Sequence, residues 1–157
     1  MQDIFRQLYD TSFATAIRES DNLFPALESV HVIALTVMVG TIAVVDLRLL
    51  GLALVKVPPA EIERRIVPLT WIGFAIMAAS GFLLFAAEAK DLEHNPAFLT
   101  KAALLLLAGL NMAIFQTFLR PHLKGAAVPS SAKAGAAASL TLWAGIVAAG
   151  RAIAYFH

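Results

Sequence analysis

The stretch from Glu28 to Gly51, ESVHVIALTVMVGTIAVVDLRLLG, constrains the chain more than any other part of it. It is apolar enough to cross a bilayer, yet it has Glu28 and His31 near one end and Asp46-Leu47-Arg48 near the other. Charged groups inside a spanning helix are costly, so they pack toward protein and pair or work there. A helix advances about 100° per residue, which puts Glu28, His31 and Asp46 within roughly 60° of one another on one face. His31 is the one histidine that falls well inside such a stretch.

The composition extends this to the whole chain. Of 157 residues, 59% are hydrophobic and only 15% charged. The mean hydropathy of +0.76 is that of a membrane protein. The length suits one domain. There are no cysteines, which excludes disulfides, thiolate metal sites and cysteine nucleophiles. A formal charge of +1 and the absence of a basic patch with interleaved aromatics exclude nucleic-acid binding. The start, MQDIFRQLYDTSF, lacks the basic head and apolar run of a signal peptide and is read as mature structure.

In order, residues 1–22 read as an interfacial segment. Ile4, Phe5 and Leu8 make one small apolar face, and Phe13, Ala16 and Ile17 make another that Ser12 would cap. Four spans follow at about 24–54, 67–89, 97–119 and 136–155. The connection 55–66, VKVPPAEIERRI, is polar, and Pro58-Pro59 reads as a break. The loop 90–96, KDLEHNP, is short and predicts antiparallel neighbours in the second and third spans. Residues 120–135 read as a flexible connection. The fold expected is all-α: an integral membrane four-helix bundle with an N-terminal interfacial amphipathic helix. The glycines within the spans would let helices approach closely in lipid.

Basic residues orient the spans. The connections after the first and third spans, with their adjoining helix ends, carry Arg48, Lys56, Arg64, Arg65, Arg120, Lys124 and Lys133 against Asp46, Glu61 and Glu63, a net +4. The opposite side carries five basic and eight acidic residues, a net −3. The positive side is expected in the cytoplasm and both termini outside, in the periplasm of a two-membrane bacterium.

The polar residues of the outward half are the candidate site. His31 is about 10 Å along the first span, and Lys101 and Arg151 are each about 6 Å from the outer ends of the third and fourth. Glu28 is one turn above His31, and Glu88 ends the second span. One neutral imidazole is a good axial ligand for haem iron, and two cations would suit its propionates. Phe82, Phe85, Trp143 and Tyr155 are available to line a ring. His94, His157 and Met77 are candidates for a second axial ligand, and a five-coordinate iron is the alternative. Glu28 and His31, at i and i+3, would also fit copper or zinc. A third role for His31 is structural, satisfied by Glu28 or Glu88. Lys101 and Arg151 would then snorkel to headgroups. At the inner end, Asp46 is expected to pair with Arg48, Arg64 or Arg65, with Gly51 ending the helix. Asn111 and Gln116 are expected to hydrogen-bond between helices. No GxSxG, HExxH, Walker or GxGxxG motif occurs, so neither a hydrolase nor a nucleotide enzyme is expected.

FPALESVHVIAL at 24–35, VDLRLLG at 45–51, GFLLFAAEA at 81–89, NPAFLTKAALLLLAGLN at 95–111 and WAGIVAAGRAIAY at 143–155 resemble a bacterial four-helix inner-membrane family of unknown function. More distantly, the chain is similar to CopD-type copper-resistance proteins and cytochrome b-like bundles. That resemblance implies haem or copper held by helix histidines, carried here by His31 with Lys101 and Arg151 in support. The chain lacks the paired intramembrane histidines of a dihaem protein and the Met- and His-rich strings of a copper conduit. The expectation is a b-type haem protein in electron transfer or haem sensing at the periplasmic face. The alternatives are a copper or other divalent-metal handling protein, and a non-catalytic subunit or assembly factor of a larger membrane complex. A redox partner and self-association into a homo-oligomer are further expectations.

Overall fold

The computed structural model describes residues 2–123 and 128–156, and these are helical without strands. Two short helices, α1 (Gln2–Tyr9) and α2 (Ser12–Arg18), precede α3 (Leu23–Leu50), α4 (Pro59–Leu92), α5 (Pro96–Ile114) and α6 (Ser130–Ala152). A π turn at Phe115–Leu119 and a 3-10 turn at Arg120–His122 prolong α5, and a 3-10 turn at Ile153–Tyr155 follows α6. Four helices are long and apolar enough to cross a membrane: Leu23–Leu50, Pro59–Leu92, Pro96–Leu119 and Ser130–Tyr155. The chain is a multi-pass membrane protein.

The helix ends follow from local chemistry. Gly51 stops α3 at φ 78°, a left-handed value that suits glycine. There Leu52 N–H reaches back to the Leu47 carbonyl at 2.9 Å, closing the loose end. Pro59 opens α4 as its first residue, where a missing N–H costs nothing. The expected break at Pro58-Pro59 is thus a helix start, and residues 59–66 are helix rather than connection. Their charges mark where the helix leaves hydrocarbon. At 34 residues α4 is about 51 Å long, well beyond a core of about 30 Å. Likewise α6 starts at Ser130, some six residues before its expected boundary. Ser12 is the first residue of α2 and not its cap. Thr11 holds the cap position, with its hydroxyl donated to the Leu8 carbonyl at 2.6 Å.

Packing pairs α3 with α4 and α5 with α6, and the pairs meet along a seam between α3 and α6. Among the described residues α4 and α5 scarcely touch. The short turn brings together the ends that lie beside the N- and C-terminal helices, the outer ends by position in the bundle, where Phe85 and Phe98 stack at 5.4 Å. The expectation that these spans are neighbours therefore holds at their two ends, at the loop and at the Glu63–Arg120 ion pair, and not along the length between. A loop fixes the ends of two helices, while their course depends on which faces interlock. The α3–α4 contact is close because a β-carbon on Gly73 would sit 3.2 Å from Met38 Cβ. One apolar cluster joins Ala34, Met38 and Met77, with Trp143 against it. A second, toward the other end, joins Leu49, Leu123, Ala132 and Ala136.

Helices α1 and α2 lie against the outer end of α4. Phe5 meets Phe85 edge-on at 5.6 Å. The Arg18 guanidinium donates to the carbonyls of Tyr9 and Ala87, each at 3.3 Å. It also stacks 3.8 Å over the Tyr9 ring.

At the opposite end, Asp46 is buried, its Oδ2 has no hydrogen-bond partner among the described residues, and it pairs with no arginine. Arg48 instead donates to the Val57 carbonyl at 2.6 Å, folding the connection back on α3. Arg65 pairs with Glu61 within α4. Buried Glu63 meets Arg120 at 2.6 Å, a charge contact that is not aligned as a hydrogen bond. Asn111 does bridge helices, donating to the Gly135 carbonyl at 3.2 Å. Gln116 bonds within its own turn, to Met112 and Arg120.

Candidate functional site

His31 is half-buried and faces α4. Its Nδ1 is 3.1 Å from the Met77 carbonyl and 3.1 Å from Ser80 Oγ. A carbonyl only accepts, so Nδ1 carries the proton. Ser80 sends its own hydroxyl proton to the Ile76 carbonyl at 2.7 Å and so can accept from the imidazole as well. In the neutral ring this leaves Nε2 with a bare lone pair, and no hydrogen bond occupies it among the described residues.

Gly81 makes the placement possible. A β-carbon there would be 2.9 Å from His31 Cε1, closer than packed atoms tolerate. Ser80-Gly81 is thus a paired device: one residue binds the ring and the next clears space for it. Both lie at the depth of His31, and small residues opposite a polar one were the available sequence signal.

Lys101 comes from α5 and lies along α6. A β-carbon on Gly150 would be 3.7 Å from its Nζ. The ammonium is half-buried and without a hydrogen-bond or ion-pair partner among the described residues.

The other expected site residues are placed elsewhere. Glu28 is exposed at the outer end of α3 and does not bond His31. Glu88 is half-buried and has an interaction partner of its own. Met77 offers His31 its carbonyl while its side chain is in the apolar cluster. His94 is exposed in the turn between α4 and α5. His157 lies outside the described residues. Arg151 and Trp143 line an open groove of about 450 Å³ on the α3–α6 seam, which His31 and Lys101 do not line. Phe85 belongs to the aromatic contact at the outer end, and Phe82 and Tyr155 are exposed. Among the described residues no three His, Asp or Glu side chains gather closely enough to hold a metal ion. The structure therefore brings together His31, Ser80 and the Met77 carbonyl, while Lys101 lies against Gly150 of α6.

Asn95 is a tie that sequence reading missed. Its Oδ1 accepts from the N–H groups of Ala97 and Phe98 at 3.0 and 3.1 Å, capping α5. Its Nδ2 donates to the carbonyls of Ile153 and Phe156 at 3.2 and 2.7 Å. One buried amide thereby fixes the α4–α5 turn to the outer end of α6, above Lys101. The dipeptide Asn-Pro, a cap followed by a proline at the first helical position, was the signal.

No curated protein and no solved structure matches the chain. A family of unknown function, DUF6644, matches residues 6–156, nearly the full length and every element of the site, and the chain belongs to it.

Proposed function

We propose that the protein is a membrane b-type haem protein, with His31 Nε2 as the axial ligand and Lys101 as the cation for a propionate. The observation that carries this reading is the commitment of Nδ1 to the Met77 carbonyl. A histidine that ligates iron typically donates its other ring nitrogen to such a group, which fixes the tautomer and aims the lone pair. Support also comes from Lys101, since a half-buried cation without a carboxylate is costly and an acid on a ligand would relieve it. The sparse contact between α4 and α5 gives a flat ligand a way in from the bilayer. When bound, haem would supply one-electron chemistry. This chain's residues would hold it, fix the imidazole and neutralise an acid group. The Met77 side chain is in the apolar cluster and His94 is exposed, so His31 is the residue that would hold the iron. The expected distant likeness to copper-resistance and cytochrome b-like bundles has no match behind it and adds no weight, and the residues near His31 do not favour a bare copper or zinc ion.

The test is the reduced-minus-oxidised spectrum of protein purified with haem supplied. A Soret and an α band are expected. His31→Ala should abolish both, and Lys101→Gln should weaken haem retention about tenfold by removing one charge-assisted contact. The absence of any band in the parent protein would end the proposal.

We also propose the bacterial inner membrane as its location, with both termini periplasmic, from the +4 against −3 charge asymmetry of the two sides. Alkaline phosphatase fused after the last residue should be active, and the same enzyme inserted at Lys56 inactive. The reverse pattern would invert the topology.

A further inference from the structure

The groove on the α3–α6 seam is lined by Val39 and Ile42 of α3 and by Leu140, Trp143, Ala144, Val147, Ala148 and Arg151 of α6. All but the last are apolar. Arg151 is exposed, lies in the last turn of α6, and has no acidic partner among the described residues. A cation thus closes one end of an otherwise apolar trough.

The trough has a definite length. From Leu140 to Arg151 α6 rises about 16 Å. Half of a hydrocarbon core of about 30 Å is about 15 Å. The groove is therefore about as long as the acyl chain of one leaflet, and it is open rather than enclosed.

We propose that this groove is a binding site for an anionic phospholipid of the phosphatidylglycerol class in the outward leaflet. One acyl chain lies along Val39, Ile42, Leu140 and Val147, and Arg151 meets the phosphodiester. A guanidinium presents a planar fork of donors that matches phosphate oxygens. The apolar walls would hold the chain of any phospholipid, so the choice of headgroup rests on Arg151. This site is separate from His31 and Lys101 and does not depend on haem.

Trp143 is a wall of the groove and makes the site readable. The chain has two tryptophans, so a Trp71→Phe variant reports from Trp143 alone. That variant is reconstituted in phosphatidylcholine vesicles containing a minor fraction of lipid with brominated chains, which quench indole on contact. Brominated phosphatidylglycerol should quench about fivefold more effectively than brominated phosphatidylcholine, the preference expected for one cation at the membrane surface. Arg151→Gln should remove that preference, and Arg151→Lys should keep part of it, with helix content unchanged by circular dichroism. Lys90→Gln, which removes an exposed cation from the end of α4, should leave it intact. Equal quenching by the two lipids in the parent overturns the proposal. So does a Lys90→Gln effect as large as that of Arg151→Gln, which would assign the preference to bulk surface charge.

Discussion

His31 owes its position to three residues on the facing helix. Ser80 and the Met77 carbonyl hold its Nδ1, and Gly81 leaves room for its Cε1 edge. Gly81→Ala should push the ring off α4 and break both contacts, at a cost of about 1–3 kcal/mol. In a His31→Ala background the same change should cost little, because the clash has gone. Thermal unfolding in a single detergent reads both. Equal losses in the two backgrounds would mean that Gly81 serves something other than the imidazole. The importance of His31 was legible from its residue type at that depth. Its partners were not. A backbone carbonyl has no signature in a sequence, and Ser80-Gly81 gains meaning only once α4 is rotated about its axis. The expected Glu28 contact shows the same limit: spacing of i and i+3 fixes a shared helix face but not whether that face is covered.

The long helices were legible because apolar runs of membrane length have few alternatives. Their ends were less so. Pro58-Pro59 reads as an interruption in the sequence, yet proline is well suited to a first helical turn, as Pro59 and Pro96 both show. Asn95, before Pro96, joins three elements with one side chain. Its oxygen and its nitrogen do different work, and substitution separates them. Asn95→Asp keeps the acceptor that caps α5 but loses both donations to Ile153 and Phe156. Asn95→Ala loses all four bonds. The expected order of stability is Asn above Asp above Ala, with the cap accounting for about 1 kcal/mol of the last step. Thermal unfolding gives the order, and faster proteolysis after Tyr155 in both variants would report release of the α6 end. An Asp variant as protease-resistant as the parent would show that the α6 end is held without the amide.

As a whole, the molecule is two helix pairs joined along α3 and α6. The N-terminal helices reinforce one outer corner through Phe5 and Arg18, and Asn95 links the outer ends. Between the Phe85–Phe98 stack at one end and the Glu63–Arg120 ion pair at the other, the described residues of α4 and α5 scarcely touch. That asymmetry was invisible in the sequence, since a short loop says the same thing whether its helices run together or part.

The parting of α4 and α5 has a mechanical consequence. Where protein does not interlock, the separation of two helices is set by the sideways pressure of the surrounding chains, and this changes with bilayer thickness. The chain's lack of cysteines allows spin labels at chosen sites. A label pair at Ile76 and Leu110, across the open side, should shift its distance distribution between short-chain and long-chain bilayers. A pair at Val37 and Ile72, across the packed α3–α4 contact, should hold still. Identical behaviour of the two pairs would show the bundle to be uniformly stiff. The expected difference makes one flank of this protein a gauge of the membrane it sits in.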